Sequence, residues 1–393
     1  MPEVENPTKE HVMSAQPLMS LIAPSRYSQG RDAIARIGEE LARLGEVPMI
    51  VADEMVWGIV GETVTASLEA AGLPVHRVSF EGHATAATID ALADRAKELG
   101  ADVMAGVGGG SVIDSVKAAG HLAGIRWASV PTIASTDAPC SALSVIYTAE
   151  GAMEEYRFFP RNPDLVLVDT QLVANAPVRL LVAGIGDALA TWPEARAVAR
   201  ARATTMAGGA ATMSAQALAR LSWEILHEDA LPAIAAVGRN VVTPAVDRVV
   251  EANTLLSGLG FESSGLAAAH AIHDGLTAVP QTHHLTHGEK VNVGTTTQLV
   301  LESAPTAELD DFIRFTTAVG LPNTLVEAGI DVDDHDSLRT VAEAATAEGE
   351  TIHNMDVEVT VTTLVDALRF LDDYSARVRK DAGLPAPAPM HQH

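Results

Sequence analysis

The sequence predicts an α/β domain with a parallel sheet, followed by an all-helical domain. Three observations predict this. Short apolar runs alternate with helical patterns up to about residue 176. A glycine run sits between one such apolar run and the helix after it. Beyond Pro177 the chain turns to long Ala- and Leu-rich stretches with almost no strand character. Strands separated by helices imply βαβ units, whose strands lie parallel.

The elements follow in order. Pro48–Ala52 reads as a strand and Glu54–Ala71 as a helix. Val75–Phe80 is a strand, and Thr85–Leu99 is an amphipathic helix stopped by Gly100, a residue suited to the left-handed position after a helix. Asp102–Val107 is a buried strand, then a helix runs from Val112 to Ala123. Trp127–Val130 is a strand, and Ala142–Thr148 with Glu155–Phe159 reads as a hairpin turning at Glu150–Gly151. Asp164–Asp169 closes the series. Helices are predicted over Ala183–Arg202, Thr212–Ile225, Ala245–Leu259, Leu266–Ala278, Val291–Glu302, Leu309–Ala318, Ser337–Ala347 and Thr360–Arg379. Domains are therefore drawn at 1–176 and 177–393, with a frayed tail from about 383 that ends in Met-His-Gln-His.

Length and charge exclude several functions. A chain of 393 residues suits two domains. Its 51 acidic and 26 basic residues give a formal charge of −25. That argues against a nucleic-acid partner, which needs a basic face, and against an anionic membrane surface. No stretch approaches the ~20 apolar residues that span a bilayer. Met1–Gln16 is polar and acidic, without the apolar core of a secretory signal. The only cysteine is Cys140, so no intrachain disulfide forms. These features suit a cytoplasmic protein. The acid excess fits a salt-tolerant proteome, and equally an ordinary acidic cytosolic one.

Four features carry chemistry. Gly106-Val-Gly-Gly-Gly-Ser111 lies between strand and helix. It reads as a phosphate cradle at a helix N-terminus or as a tight strand-to-helix turn. Asp53 ends an early strand; it reads as an acceptor for a ribose diol, favouring NAD over NADP, or as a helix N-cap. Thr132-Ile-Ala-Ser-Thr-Asp137 follows a strand where open α/β sheets bind ligands, or supplies turn caps. His270, His273, His283, His284 and His287 fall within 18 residues. Imidazoles from two helices plus one carboxylate make an open catalytic metal site; the alternative is histidines that are hydrogen-bonded core residues. Asp187 is the candidate carboxylate; its alternative role is an N-terminal cap.

Together, Gly108-Gly-Gly, Val130-Pro-Thr-Ile-Ala-Ser-Thr-Asp-Ala-Pro139, Asn162-Pro-Asp-Leu-Val-Leu-Val-Asp169, Ala183-Gly-Ile-Gly-Asp-Ala-Leu-Ala-Thr-Trp192, Gly260-Phe-Glu-Ser263, Ala268-Ala-His-Ala-Ile-His273 and His284-Leu-Thr-His-Gly-Glu-Lys290 resemble the iron-containing, or group III, alcohol dehydrogenases, from about residue 18 to 380. The resemblance implies that family's dehydroquinate synthase-like fold, with an active site in the cleft between a Rossmann-like NAD domain and a helical domain. It implies a divalent metal, zinc or iron, on Asp187, His270 and His287, where substrate also binds. It makes Asp137 the substrate aspartate. It assigns Asp53 to the adenosine ribose, and Gly109, Gly110, Ser111, Asp114, Thr132 and Ser135 to the cofactor loops. Ser141, Leu143 and Tyr147 become further cofactor contacts on the hairpin. The implied reaction is reversible, NAD-dependent oxidation of glycerol and related vicinal diols to dihydroxyacetone, or of another diol, hydroxyketone or alcohol. His273 and His353 would relay the proton to water. A homo-oligomer is implied, a ring of identical subunits such as an octamer.

Departures from the family are Ser111 where Lys is usual, Cys140 where Thr is common, Pro193 after Trp192 where an aromatic is usual, and Ser264 for Gly. Relatives that handle phosphorylated substrates need basic residues, and the loops around Asp137 and the histidines offer little beyond Lys290. A non-catalytic metal- or nucleotide-binding protein is the remaining alternative.

Overall fold

The computed structural model describes residues 17–149, 151 and 153–390. The terminal His391-Gln-His393, the whole segment Met1–Gln16, and Glu150 and Ala152 of the hairpin turn lie outside them.

Six strands form one sheet: β1 (Tyr27–Gly30), β2 (Pro48–Ala52), β3 (His76–Ser79), β4 (Val103–Gly108), β5 (Arg126–Pro131) and β6 (Leu165–Asp169). Their order across the sheet is β1-β6-β5-β4-β2-β3, and each neighbouring pair is parallel. The expected parallel sheet is present, with β1 as an additional edge strand. Its sequence, Tyr-Ser-Gln-Gly, has no apolar signature because an edge strand need not be buried on both faces. β2, β4 and β6 are buried throughout, as their continuous apolar runs require.

From β2 the chain steps outward to β3, returns to β4 on the other side of β2, and continues outward to β5. The direction of winding therefore reverses between β2 and β4. At such a switch point the loops beyond the strands' carboxyl ends diverge and leave a crevice.

Helices α1 (Glu54–Ala70), α2 (Ala86–Leu99) and α3 (Gly110–Ala123) connect the strands. Gly100 ends α2 at φ 65°, as its place in the sequence required. Leu143–Tyr147 and Met153–Phe158 pair antiparallel as the predicted hairpin.

The helical texture begins at α4 (Val178–Ala201). It continues through α5 (Met213–Val237) and α6, which starts as Pro244–Glu251, passes through a π-helical segment Ala252–Leu256 and ends as Ser257–Ser264. Then come α7 (Ala268–Thr277), α8 (His287–Leu301), Thr306–Val319, His335–Ala345 and Val361–Asp381. One exception to the helical second half is Ala210–Ala211, a two-residue strand parallel to Met19–Ser20.

α4 and α8 cross in backbone contact. A Cβ on Gly288 would lie 1.8 Å from the Ala183 carbonyl oxygen, and one on Gly186 would lie 2.5 Å from that of Gly288. Only glycine permits this approach. It brings Asp187 of α4 and His287 of α8 together.

Candidate active site

The switch-point crevice holds the glycine turn. Gly109 caps α3 without a side chain, and Gly110 is the first helical residue. A groove of ≈ 560 Å³ opens here, lined by Asp53, Phe80, Glu81, Gly109, Gly110 and Ser111 among others. Asp53 is the N-cap of α1, its Oδ1 accepting from the Val56 N–H at 2.8 Å, and it also lines the groove. The cap and a ligand-facing role are therefore compatible. Free N–H groups at a helix start and an acidic residue at the end of β2 suit a dinucleotide's phosphates and ribose.

Thr132 follows β5 directly, and its N–H donates to the Gly108 carbonyl at 3.1 Å. The Thr132–Asp137 loop thus leaves the sheet beside the glycine turn. Beneath it, Asp114 pairs with the fully buried Lys117 at 3.1 Å and accepts from the Val145 N–H. Lys117 also donates to Ala138 O, Ser141 Oγ and Leu143 O. Asp114, Ser141 and Leu143 thereby fix the root of the hairpin. Burial, with the Asp114 and Asp274 charges, pushes the Tyr147 phenol up to about 12.

The second centre is made of side chains. Ligand atoms of Asp187, His270 and His287 lie within 4.8 Å of one another. Asp187 Oδ1 is 3.0 Å from His287 Nε2 and 3.4 Å from His270 Nε2. These separations suit donors held at 2.0–2.2 Å around one tetrahedral cation. Asp187 is fully buried, in the interior of α4, which overturns its alternative reading as a cap. Its Oδ2 accepts from the Asp137 N–H at 3.1 Å. Asp137 Oδ2 in turn accepts from the Ser257 hydroxyl at 2.6 Å, just past the π segment.

A residue unforeseen in the sequence completes the centre. Glu194, fully buried, accepts from the Ala267 and His270 N–H groups, and its Oε2 meets His270 Nδ1 at 2.6 Å. Its spacing of seven from Asp187 puts both on one face of α4; that was the signal available. Pro193 beside it lies well inside α4.

The electrostatics ask for positive charge. Burial, the adjacent Asp187 and Glu194 all push the Asp137 carboxyl up, more than Ser257 and His270 lower it. Burial would raise Asp187 too, but the imidazoles of His287 and His270 outweigh it and hold the carboxyl below its usual range. Burial would lower His270, but Glu194 and Asp187 override it and hold a proton there. A divalent cation replaces such a proton. Among the described residues no Lys or Arg pairs with Asp187, so the donor set fits a cation. His287, with 36% of its side chain exposed, leaves one flank open, as a catalytic site needs.

Not all of the histidine cluster joins. His273 Nε2 meets His287 Nδ1 at 2.9 Å, and its Nδ1 meets Asp274 Oδ1 at 2.9 Å. His283 and His284 contact the Thr277 and Gln281 carbonyls of the turn. His353 Nε2 meets the Ala347 carbonyl at 3.1 Å rather than a histidine of the centre. Cys140 is fully buried, and burial, with Glu262 and Asp137 nearby, pushes its thiol up.

Comparison with known proteins defines the class. Residues 24–170 match the model of the family described as iron-containing alcohol dehydrogenase. The chain belongs to this family of oxidoreductases. It is 52% identical over 355 residues to the glycerol dehydrogenase of Escherichia coli O6:H1, covering 90% of this chain and 97% of that one. It is 48% identical over 357 residues to the glycolaldehyde reductase of Halobacterium salinarum, covering 91% and 98%. The crystal structure of glycerol dehydrogenase from Schizosaccharomyces pombe superposes with a TM-score of 0.92 at 38% identity, covering 96% of each chain. Among the described residues no helix is long and apolar enough to cross a membrane.

Proposed function

We propose that this protein oxidises glycerol and related vicinal diols with NAD and a divalent cation, reversibly, glycerol giving dihydroxyacetone. The observation that carries the reading is the meeting of Asp187, His270 and His287 on one point, in a chain about half identical to a glycerol dehydrogenase. Those three residues hold the cation, with zinc the first choice and iron the second.

When bound, the cation supplies a Lewis acid that makes the alcohol more acidic, and NAD supplies the hydride acceptor. The chain's residues do the positioning. Gly109, Gly110 and Ser111 offer N–H donors to the pyrophosphate, and Asp53 accepts from the adenosine ribose. Thr132 and Ser135 border the nicotinamide, with Ser141, Leu143 and Tyr147 presented by the hairpin and held in part by Asp114. Asp137, fixed by Ser257, meets the neighbouring hydroxyl of a diol, which selects vicinal diols over simple alcohols. His273 has both ring nitrogens engaged, by His287 and by Asp274, and acts behind His287 as a positioning residue. A cytoplasmic homo-oligomer completes the reading.

The Halobacterium relative favours a second reading, reduction of a short hydroxyaldehyde. The experiment is NAD reduction and NADH oxidation on a panel of diols, hydroxyaldehydes and alcohols, with zinc or iron restored to chelator-treated protein. Fastest turnover on glycerol or another vicinal diol supports the first reading. Turnover confined to hydroxyaldehydes supports the second, and none with any metal removes both.

A further inference from the structure

The two histidines of the centre differ in what stands behind them. His270 Nδ1 faces Glu194 Oε2 directly. A carboxylate only accepts, so Nδ1 carries the hydrogen and Nε2 keeps its lone pair for the cation. His287 has no carboxylate on Nδ1. It faces His273 Nε2 instead, at 2.9 Å. Two imidazole nitrogens facing each other leave open which carries the hydrogen.

The choice is made one residue further out. His273 Nδ1 lies 2.9 Å from Asp274 Oδ1 and must donate to it. Neutral His273 then has a bare Nε2, which accepts. With the cation held, His287 Nδ1 must therefore carry the hydrogen, which leaves the lone pair of His287 Nε2, 3.0 Å from Asp187 Oδ1, for the cation. The opposite tautomer of His287 would aim an N–H at the cation.

We propose that Asp274 is a positioning residue that fixes the tautomer of His287 through His273, doing at one remove what Glu194 does for His270. Asp274 is itself held from the other side of the cleft. The Tyr156 hydroxyl, on the hairpin, donates to its two oxygens at 3.2 and 3.1 Å. The centre is therefore braced by the cofactor-side hairpin as well as by its own helices. This rests on the cation-centre reading above.

The test is equilibrium zinc affinity of the chelator-treated protein, measured by competition with a chromophoric chelator. Asp274→Ala weakens affinity by about 10–100-fold, the range of such outer partners, while the melting temperature of the metal-free protein stays near that of the wild type. Asp274→Asn, whose amide oxygen still accepts from His273 Nδ1, recovers most of the affinity. Tyr156→Phe loses less than Asp274→Ala. Asp187→Ala is the control and loses stoichiometric binding. If Asp274→Ala binds within twofold of wild type while Asp187→Ala fails, the tautomer role is overturned and the centre stands. If Asp187→Ala also binds tightly, the centre itself is wrong. A second measurement needs no variant: imidazole ¹⁵N shifts in the zinc-loaded wild type show His287 protonated at Nδ1, and His273 protonated at Nδ1 with a bare Nε2. The reverse assignment overturns the proposal.

Discussion

The glycine groove and the histidine centre solve the binding problem in opposite ways. The groove joins a strand end, a turn without side chains and a helix start to flanking side chains that include Asp53, Phe80 and Glu81. One of these side chains, Asp53, also caps α1. The centre is made of side chains packed inside the helical half, each with a partner that fixes its orientation. Where free N–H groups at a helix start do the holding, the side chains alongside have room to vary. A site built from side chains has no such latitude.

That contrast can be broken at four points, from the largest effect to the smallest. His270→Ala removes a donor that nothing replaces. Metal content and kcat/KM fall together by orders of magnitude while the far-ultraviolet circular dichroism stays native. Retention of metal and most activity would falsify the ligand assignment. Gly288→Ala attacks the same centre through the backbone. The added methyl meets the Ala183 carbonyl, so stability drops by at least about 1–3 kcal/mol in urea unfolding and zinc affinity drops with it. An unchanged midpoint sinks the packing argument.

Asp53→Ala touches only the groove. The KM for NAD rises by about tenfold, the loss of one charge-assisted hydrogen bond of roughly 1.5 kcal/mol, while the KM for glycerol stays. An unchanged KM for NAD removes the ribose role. The smallest effect lies where the two halves meet. Glu262 of α6 accepts from the Ala142 N–H and from Asn162 of the sheet half, at 2.6 and 2.5 Å. Burial pushes its carboxyl from 4.5 up to about 7. Stability from this group is present below the unfolded value and lost as pH rises through the folded one. Glu262→Gln, neutral throughout, should thus gain melting temperature relative to wild type as pH rises through that window. A constant difference across it excludes the linkage.

Much of this was legible in the chain. β2 is predicted with its observed bounds, and the glycine turn, Asp187, His270 and His287 are all picked out. Periodicity and composition carry such information because buried strands and helix faces impose it. What escaped did so for physical reasons. β1 is polar because it is an edge. Glu194 looks like a surface charge until α4 is known to be buried, since a carboxylate's partners come from elsewhere in the fold. Spacing also could not divide the histidine cluster: His283 and His284 serve a turn, and only the path of α7 and α8 separates them from the three that meet. Thr286 and Glu289 form a reciprocal cap that starts α8 at His287, a pattern readable in Thr286-His-Gly-Glu289.

The backbone crossing of α4 and α8 has a consequence for how such an enzyme can change over evolutionary time. With no side chain between Ala183 and Gly288, there is no wedge to trim or enlarge, and the gap between Asp187 and His287 is hard-wired. Selection for a different ion cannot act by respacing these two residues. It has to work on the outer carboxylates, where a single exchange alters how firmly each ring is aimed while leaving the helices where they are.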